Sequence, residues 1–171
     1  FTIAFPQLTM GPILRCREWR GALKERTITR EDVFSGFELF VVGLCFKVLL
    51  ADQLAPLWAS LERIGYEYLS TPLAWLGAVS YSLQLYFDFS GYSLMAMGLG
   101  QMLALPVPRN FDLPYTARSV SEFYRRWHIT LGTWFRDYVY IPLGGSRNGN
   151  ARTVLSLSLI HISEPTRLRR I

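Results

Sequence analysis

His128, one of two histidines in the 171-residue chain, closes the run Glu122-Phe-Tyr-Arg-Arg-Trp-His128. An imidazole whose unperturbed pKa lies near 6.5 needs little adjustment to act as a general base towards a hydroxyl group. The same side chain also fits the role of a packed interfacial histidine. Asp88 is the second candidate, because it is the one charge between Leu73 and Leu105. An acid inside an apolar stretch costs several kcal/mol unless it faces protein or water. It can bind a cation, relay protons, or accept bonds from the Ser90 and Gly91 amides and so hold a helix break. Arg125 and Arg126 can clamp the phosphates of a nucleotide-bearing donor through charge-assisted hydrogen bonds, or lie solvated among lipid headgroups.

The elements that position these residues follow from apolar patterning. Val33 to Ala51 is a run of 19 residues with only Glu38 and Lys47 charged, enough at 1.5 Å per residue to cross a hydrocarbon core of about 30 Å. Thr29 and Asp32 supply a helix-start pattern before it. Lys47 snorkels to the interface in this reading, Glu38 flanks the interface or meets a partner, and Asp52 marks the exit. Leu73 to Leu105 is too long for one straight crossing at about 50 Å. Ser90-Gly91, with Gly98 and Gly100 beyond, predicts two helical pieces meeting near Asp88, and its small residues allow close helix packing. Pro106 and Pro108 end the segment.

Ser119 and Glu122 have capping-box spacing. Val120, Phe123, Tyr124, Trp127, Leu131, Trp134, Phe135 and Tyr138 then recur at steps of three and four. On a helical wheel they fall within about 60° of one direction, with His128 at the border of the stripe beside Tyr124 and Phe135. This predicts one amphipathic interfacial helix. The opening, with Pro6 and the Gly11-Pro12 pair, predicts an irregular or re-entrant segment.

Composition agrees with a membrane setting: 50% hydrophobic and 15% aromatic residues but 18% charged, against about 25% charged in soluble domains. A disordered chain is excluded. The net charge of +5 rests almost wholly on arginine. Beside long apolar segments, the cluster Arg15, Arg17, Arg20, Lys24, Arg26 and Arg30 points to anionic headgroups rather than to nucleic acid. Cys16 and Cys45 have neither disulfide nor metal-site spacing. The chain begins at Phe1 without signal-peptide features and reads as a fragment. Phosphate-loop, GxGxxG, HExxH and GxSxG motifs are absent. Two readings therefore stand at this level: a membrane-embedded transferase using His128, and an ion- or proton-coupled transporter using Asp88 and Glu38.

Four motifs occur in order: Gln84-Leu-Tyr-Phe-Asp88-Phe-Ser-Gly-Tyr92, Asn110-Phe-Asp-Leu-Pro-Tyr115, Glu122-Phe-Tyr-Arg-Arg-Trp-His128 and Arg136-Asp-Tyr-Val-Tyr-Ile-Pro-Leu-Gly-Gly145. Together they closely resemble the membrane-bound O-acyltransferase (MBOAT) family. The branch that fits best is that of the bacterial alginate O-acetylation proteins, with teichoic-acid D-alanyl transfer proteins as relatives. The resemblance implies an all-α fold of polytopic transmembrane helices with re-entrant and interfacial amphipathic helices, multi-pass in the bacterial inner membrane. It implies acyl transfer through a tunnel to a hydroxyl of a cell-surface polymer. The implied donor is acetyl-CoA or a related thioester, with no bound cofactor or metal and with extracytoplasmic polysaccharide-modifying partner proteins.

His128 matches the first of two active-centre histidines of the family. Asp88, Gln84, Tyr92, Asn110, Arg125, Arg126 and Trp127 become candidates for lining the substrate path. The second histidine, which the resemblance implies is the more directly catalytic, belongs to a later Trp-His-Gly segment, which these residues do not contain, and His161 lacks that context. Leu94 stands where alginate-type relatives often carry an acid. Residues 1–155 are thus expected to form a partial MBOAT membrane domain, and 156–171 a non-family tail resembling a translated sequencing adaptor. That fragment alone is expected to be inactive.

Overall fold

The computed structural model describes residues 11–15, 23 and 26–142. No strand occurs among them, as expected of an all-α chain. Two compact units are present, Phe1–Arg109 and Asn110–Ile171. The predicted opening before Gly11, the last residues of the fourth motif, Gly144 and Gly145, and the tail from Ser156 lie outside the described residues, while residues 11–15 carry no regular secondary structure.

In the first unit, helix α1 (Arg30–Cys45) starts on the predicted capping box. The Thr29 hydroxyl accepts from the Asp32 amide at 3.1 Å, and the Asp32 carboxylate accepts from the Thr29 amide at 3.0 Å. The two acids in its first turn, Glu31 and Asp32, suit the positive end of the helix dipole. The chain does not leave the helix at Asp52 as expected. It continues through a π-helical turn, Phe46–Ala51, into α2 (Asp52–Ile64), and stops at Gly65 with φ +87°. The physical reason is that no glycine or proline interrupts the chain between Gly43 and Pro56, while Lys47 Nζ pairs with Asp52 Oδ1 at 2.9 Å along the turn. The continuous helix Arg30–Ile64, 35 residues, is long and apolar enough to cross a membrane, and only 11% of its most apolar window is buried.

Helix α3 (Thr71–Met102) is one unbroken helix of 32 residues, so the predicted junction near Asp88 does not exist. Its glycines serve contact instead of a break. Gly91 and Gly98 on α3 oppose Gly43 and Gly36 on α1, seven residues apart in each helix. A Cβ on Gly43 would meet the Gly91 carbonyl at 2.6 Å, and a Cβ on Gly36 the Gly98 carbonyl at 2.7 Å. The backbones of the two helices therefore touch, as small-residue seams in membranes allow. Beyond the seam, Gln101 Nε2 donates to Ser35 Oγ at 2.7 Å. The helix ends in a Schellman arrangement, with Leu105 N–H donating to Gly100 O at 2.8 Å and Ala104 N–H to Gln101 O at 2.9 Å. Ala104 takes the left-handed φ of +50° usually left to glycine, and Pro106 follows.

In the second unit the predicted single amphipathic helix is two short ones, α4 (Val120–Arg126) and α5 (Ile129–Phe135), continued by a π-helical turn at Arg136–Tyr140. The regular phase is lost at His128, which has φ +45°. The aromatic residues on either side of it therefore do not share one continuous face. Ser119 caps α4 by accepting from the Glu122 amide at 3.1 Å. The other half of the box is displaced by one residue, because Glu122 Oε2 accepts from the Arg118 amide at 2.9 Å.

Candidate active site

A non-glycine residue in the left-handed region costs about 1–3 kcal/mol and persists only when its surroundings hold it there. Asn110 holds His128. Its backbone carbonyl accepts from the Ile129 amide at 2.9 Å. Its side-chain Oδ1 lies 2.9 Å from His128 Nδ1, 2.9 Å from Thr130 Oγ1 and 3.3 Å from the Thr130 amide. Asn110 thus supplies from 20 residues upstream the cap that α5 lacks in its own N-cap side chain. Two residues on, the Asp112 amide donates to the Arg126 carbonyl at 2.9 Å, so residues 110–112 run clasped against 126–129. Asn110 is fully buried and His128 is 4% exposed, which corrects the expected position at the border of an interfacial stripe.

Trp127 is fixed beside this clasp. Phe111 meets it edge-on at 5.1 Å and Phe123 stacks on it at 5.5 Å. Arg126 pairs with Glu122 at 2.6 Å and donates to Thr116 Oγ1 at 2.8 Å. The amide of Arg118, with the charges of Arg126 and Arg125 behind it, holds the Glu122 carboxyl below the usual range. Arg125 is exposed. Of the predicted site residues, the structure brings Asn110, Trp127, His128 and Arg126 together in one unit. Thr130 belongs with them; no motif singled it out, and its one sequence signal is a hydroxyl two residues after the histidine.

Gln84, Asp88 and Tyr92 lie one turn apart on α3 in the other unit. Asp88 does not hold a helix break through Ser90 and Gly91. Its Oδ1 lies 2.6 Å from Lys47 Nζ, so Lys47 bridges Asp52 and Asp88 where snorkelling was expected. Asp88 is therefore not the isolated acid that an ion-coupled reading requires, and Glu38 is exposed. Among the described residues no cluster of three His, Cys, Asp or Glu side chains is placed to hold a metal ion. Lys47→Met is expected to lower stability by about 2 kcal/mol, since the half-exposed Asp52 and the largely buried Asp88 lose their common cation. Asp88→Asn, which leaves the Lys47–Asp52 pair intact, is expected to cost under about 1 kcal/mol. Thermal unfolding of both variants in detergent micelles checks the order, and equal losses would refute it.

Comparison with known proteins agrees with this assembly of motifs. The chain is 45% identical over 159 residues to the "Probable alginate O-acetylase AlgI" of Azotobacter vinelandii, covering 93% of this chain and 32% of that protein. It is 40% identical over 153 residues to the peptidoglycan O-acetyltransferase of Helicobacter pylori, covering 86% and 28%. It is 28% identical over 146 residues to the teichoic acid D-alanyltransferase of Bacillus subtilis, covering 82% and 36%. The chain thus spans about a third of the length of these curated relatives. The MBOAT, membrane-bound O-acyltransferase, family matches residues 1–161, a stretch that takes in the glycine seam, the Lys47 bridge and the Asn110–His128 clasp. With that much of its length matched, the chain belongs to the membrane-bound O-acyltransferase family.

Proposed function

We propose that the full-length protein is a multi-pass enzyme of the bacterial inner membrane that transfers an acyl group, in the first instance acetyl, from a thioester such as acetyl-CoA to a hydroxyl of a cell-surface polysaccharide. The observation that carries this reading is the buried imidazole of His128, clamped by Asn110 inside a family match covering residues 1–161. The three relatives support the reaction class, since their names describe acyl transfer to alginate, to peptidoglycan and to teichoic acid.

In this proposal His128 takes the proton of the acceptor hydroxyl as its oxygen attacks the thioester carbonyl carbon. The carbon–sulfur bond then breaks, and the departing thiolate recovers the proton from the imidazolium. Reaction in a dry passage keeps water from hydrolysing the thioester. The later Trp-His-Gly segment supplies the second histidine of the active centre, membrane lipid surrounds the helices, and extracytoplasmic partner proteins complete delivery to the polymer. Nucleic acid has no part.

The test is to express the full-length protein in a bacterium whose own polysaccharide O-acetylation has been deleted, and to measure ester-linked acetate released from the isolated polymer by mild alkali. Restored ester is expected. Unrestored ester together with ion-dependent uptake into vesicles would replace this reading with the transporter.

A further inference from the structure

A general base must present a lone pair, and a neutral imidazole has one on only one of its two nitrogens. Which nitrogen it is follows from the other's hydrogen bond. At His128 that bond runs from Nδ1 to Asn110 Oδ1 at 2.9 Å. The assignment of the Asn110 amide is not arbitrary. Its oxygen position also lies 3.3 Å from the Thr130 amide nitrogen, and a backbone N–H can only donate. Turning the amide over would set an NH2 group against that N–H. The Thr130 hydroxyl, 2.9 Å away, donates to the same oxygen. An oxygen fixed as acceptor by Thr130 requires a hydrogen on His128 Nδ1.

We infer that Asn110 and Thr130 are positioning residues that hold neutral His128 with its proton on Nδ1, making Nε2 the nitrogen that receives the proton of the acceptor hydroxyl. The second half of this statement rests on the acyltransferase reading above; the first half does not. The clamp is rigid for reasons independent of the side chains. The Ile129 amide bonds the Asn110 carbonyl and the Asp112 amide bonds the Arg126 carbonyl, each at 2.9 Å. Phe111 meets the edge of Trp127. Asn110 therefore cannot swing away without opening the turn that gives His128 its φ of +45°. The Nδ1 edge of the ring is the one this clamp holds, and Nε2 lies buried on the other edge.

The tautomer can be read directly. Full-length protein labelled with 15N-histidine is reconstituted in lipid nanodiscs at a pH where the ring is neutral. Its imidazole nitrogen spectrum is then compared with that of His128→Gln to isolate the signals of His128. A protonated, pyrrole-type δ1 nitrogen and an unprotonated, pyridine-type ε2 nitrogen are expected. The reverse pattern in the wild-type protein overturns the inference, and that result needs no variant to fold. Asn110→Asp, which keeps an oxygen acceptor at the same place, should preserve the wild-type pattern. Asn110→Leu should lose it and lower kcat about 100-fold, with KM for the thioester within about twofold. An unchanged kcat in a folded Asn110→Leu protein would also overturn it. If the wild-type protein transfers no acyl group but shows the δ1-protonated ring, the acyltransferase reading fails while the assignment of the clamp stands.

Discussion

His128→Ala in the full-length protein is expected to lower polymer O-acylation by at least about 100-fold while leaving the protein in the membrane at its normal amount. The magnitude follows from the loss of a positioned general base, which contributes about 100- to 10,000-fold. Survival of the fold follows from the clasp. Asn110 Oδ1 keeps both donors of Thr130 when the imidazole is gone, so no buried acceptor is orphaned. The backbone bonds from Ile129 to Asn110 and from Asp112 to Arg126 involve no atom of the ring. Alanine takes the left-handed φ at this position less readily than histidine, by the several-fold preference that is worth about 1 kcal/mol, which the backbone bonds of the clasp can absorb. His128→Gln sharpens the test, because its amide can still donate to Asn110 but cannot take up a proton. It should be as inactive as the alanine variant. Ester content within twofold of wild type in either variant would reduce His128 to a packing residue.

The two units were legible to different depths in the sequence, and the difference has a physical cause. Local signals held: Thr29 with Asp32 closes the box expected of it, Ser119 caps the helix after it, and the proline pair at 106 and 108 follows a helix end. Signals with two meanings held in one of them: the small residues of α3 give the close packing expected of them but not the break. Ser90-Gly91 can loosen a helix or let another backbone approach, and the choice was made by Gly43 on α1, 48 positions upstream of Gly91. Reading the glycines of both apolar runs together, with the spacing of seven in each, would have favoured contact.

Charges taken singly misled in the same way. Lys47 looked like a snorkelling end and Asp88 like a lone acid, yet each answers the other's desolvation cost. The candidate site was legible as motifs but not as geometry. The three-and-four spacing from Val120 to Tyr138 passes through Trp127-His128-Ile129 without glycine or proline, so no local feature announces the turn. Its determinant is Asn110, 18 residues before His128. That asparagine entered the sequence reading as a substrate-path candidate, whereas the structure spends its oxygens on the histidine and on the start of α5.

The glycine seam carries the largest structural consequence. Gly43→Ala and Gly98→Ala are each expected to destabilise the first unit by about 2 kcal/mol, in the middle of the range of overpacking costs. A Cβ on Gly43 would lie 2.6 Å from the Gly91 carbonyl and 2.7 Å from the Met95 amide nitrogen, and one on Gly98 would lie 2.7 Å from the Phe40 amide nitrogen. These are backbone atoms of the opposing helix, so no rotamer change relieves the clash and the helices must separate. Separation would also pull Lys47 from Asp88 and Gln101 from Ser35, because both pairs bridge the same two helices. The losses should therefore be coupled. In a double-mutant cycle Gly43→Ala and Asp88→Asn should cost less together than the sum of their separate effects, since the first already weakens the pair the second removes. Gly132→Ala supplies the opposite sign. That glycine lies in α5 with nothing within 4 Å of where a Cβ would stand, so alanine should stabilise by about 0.5–1 kcal/mol through its better helix propensity. Thermal unfolding of the variants in one detergent measures all four quantities. A neutral Gly43→Ala would mean that α1 and α3 do not touch through their backbones, and strictly additive losses would mean that the seam and the ion bridge are independent fasteners.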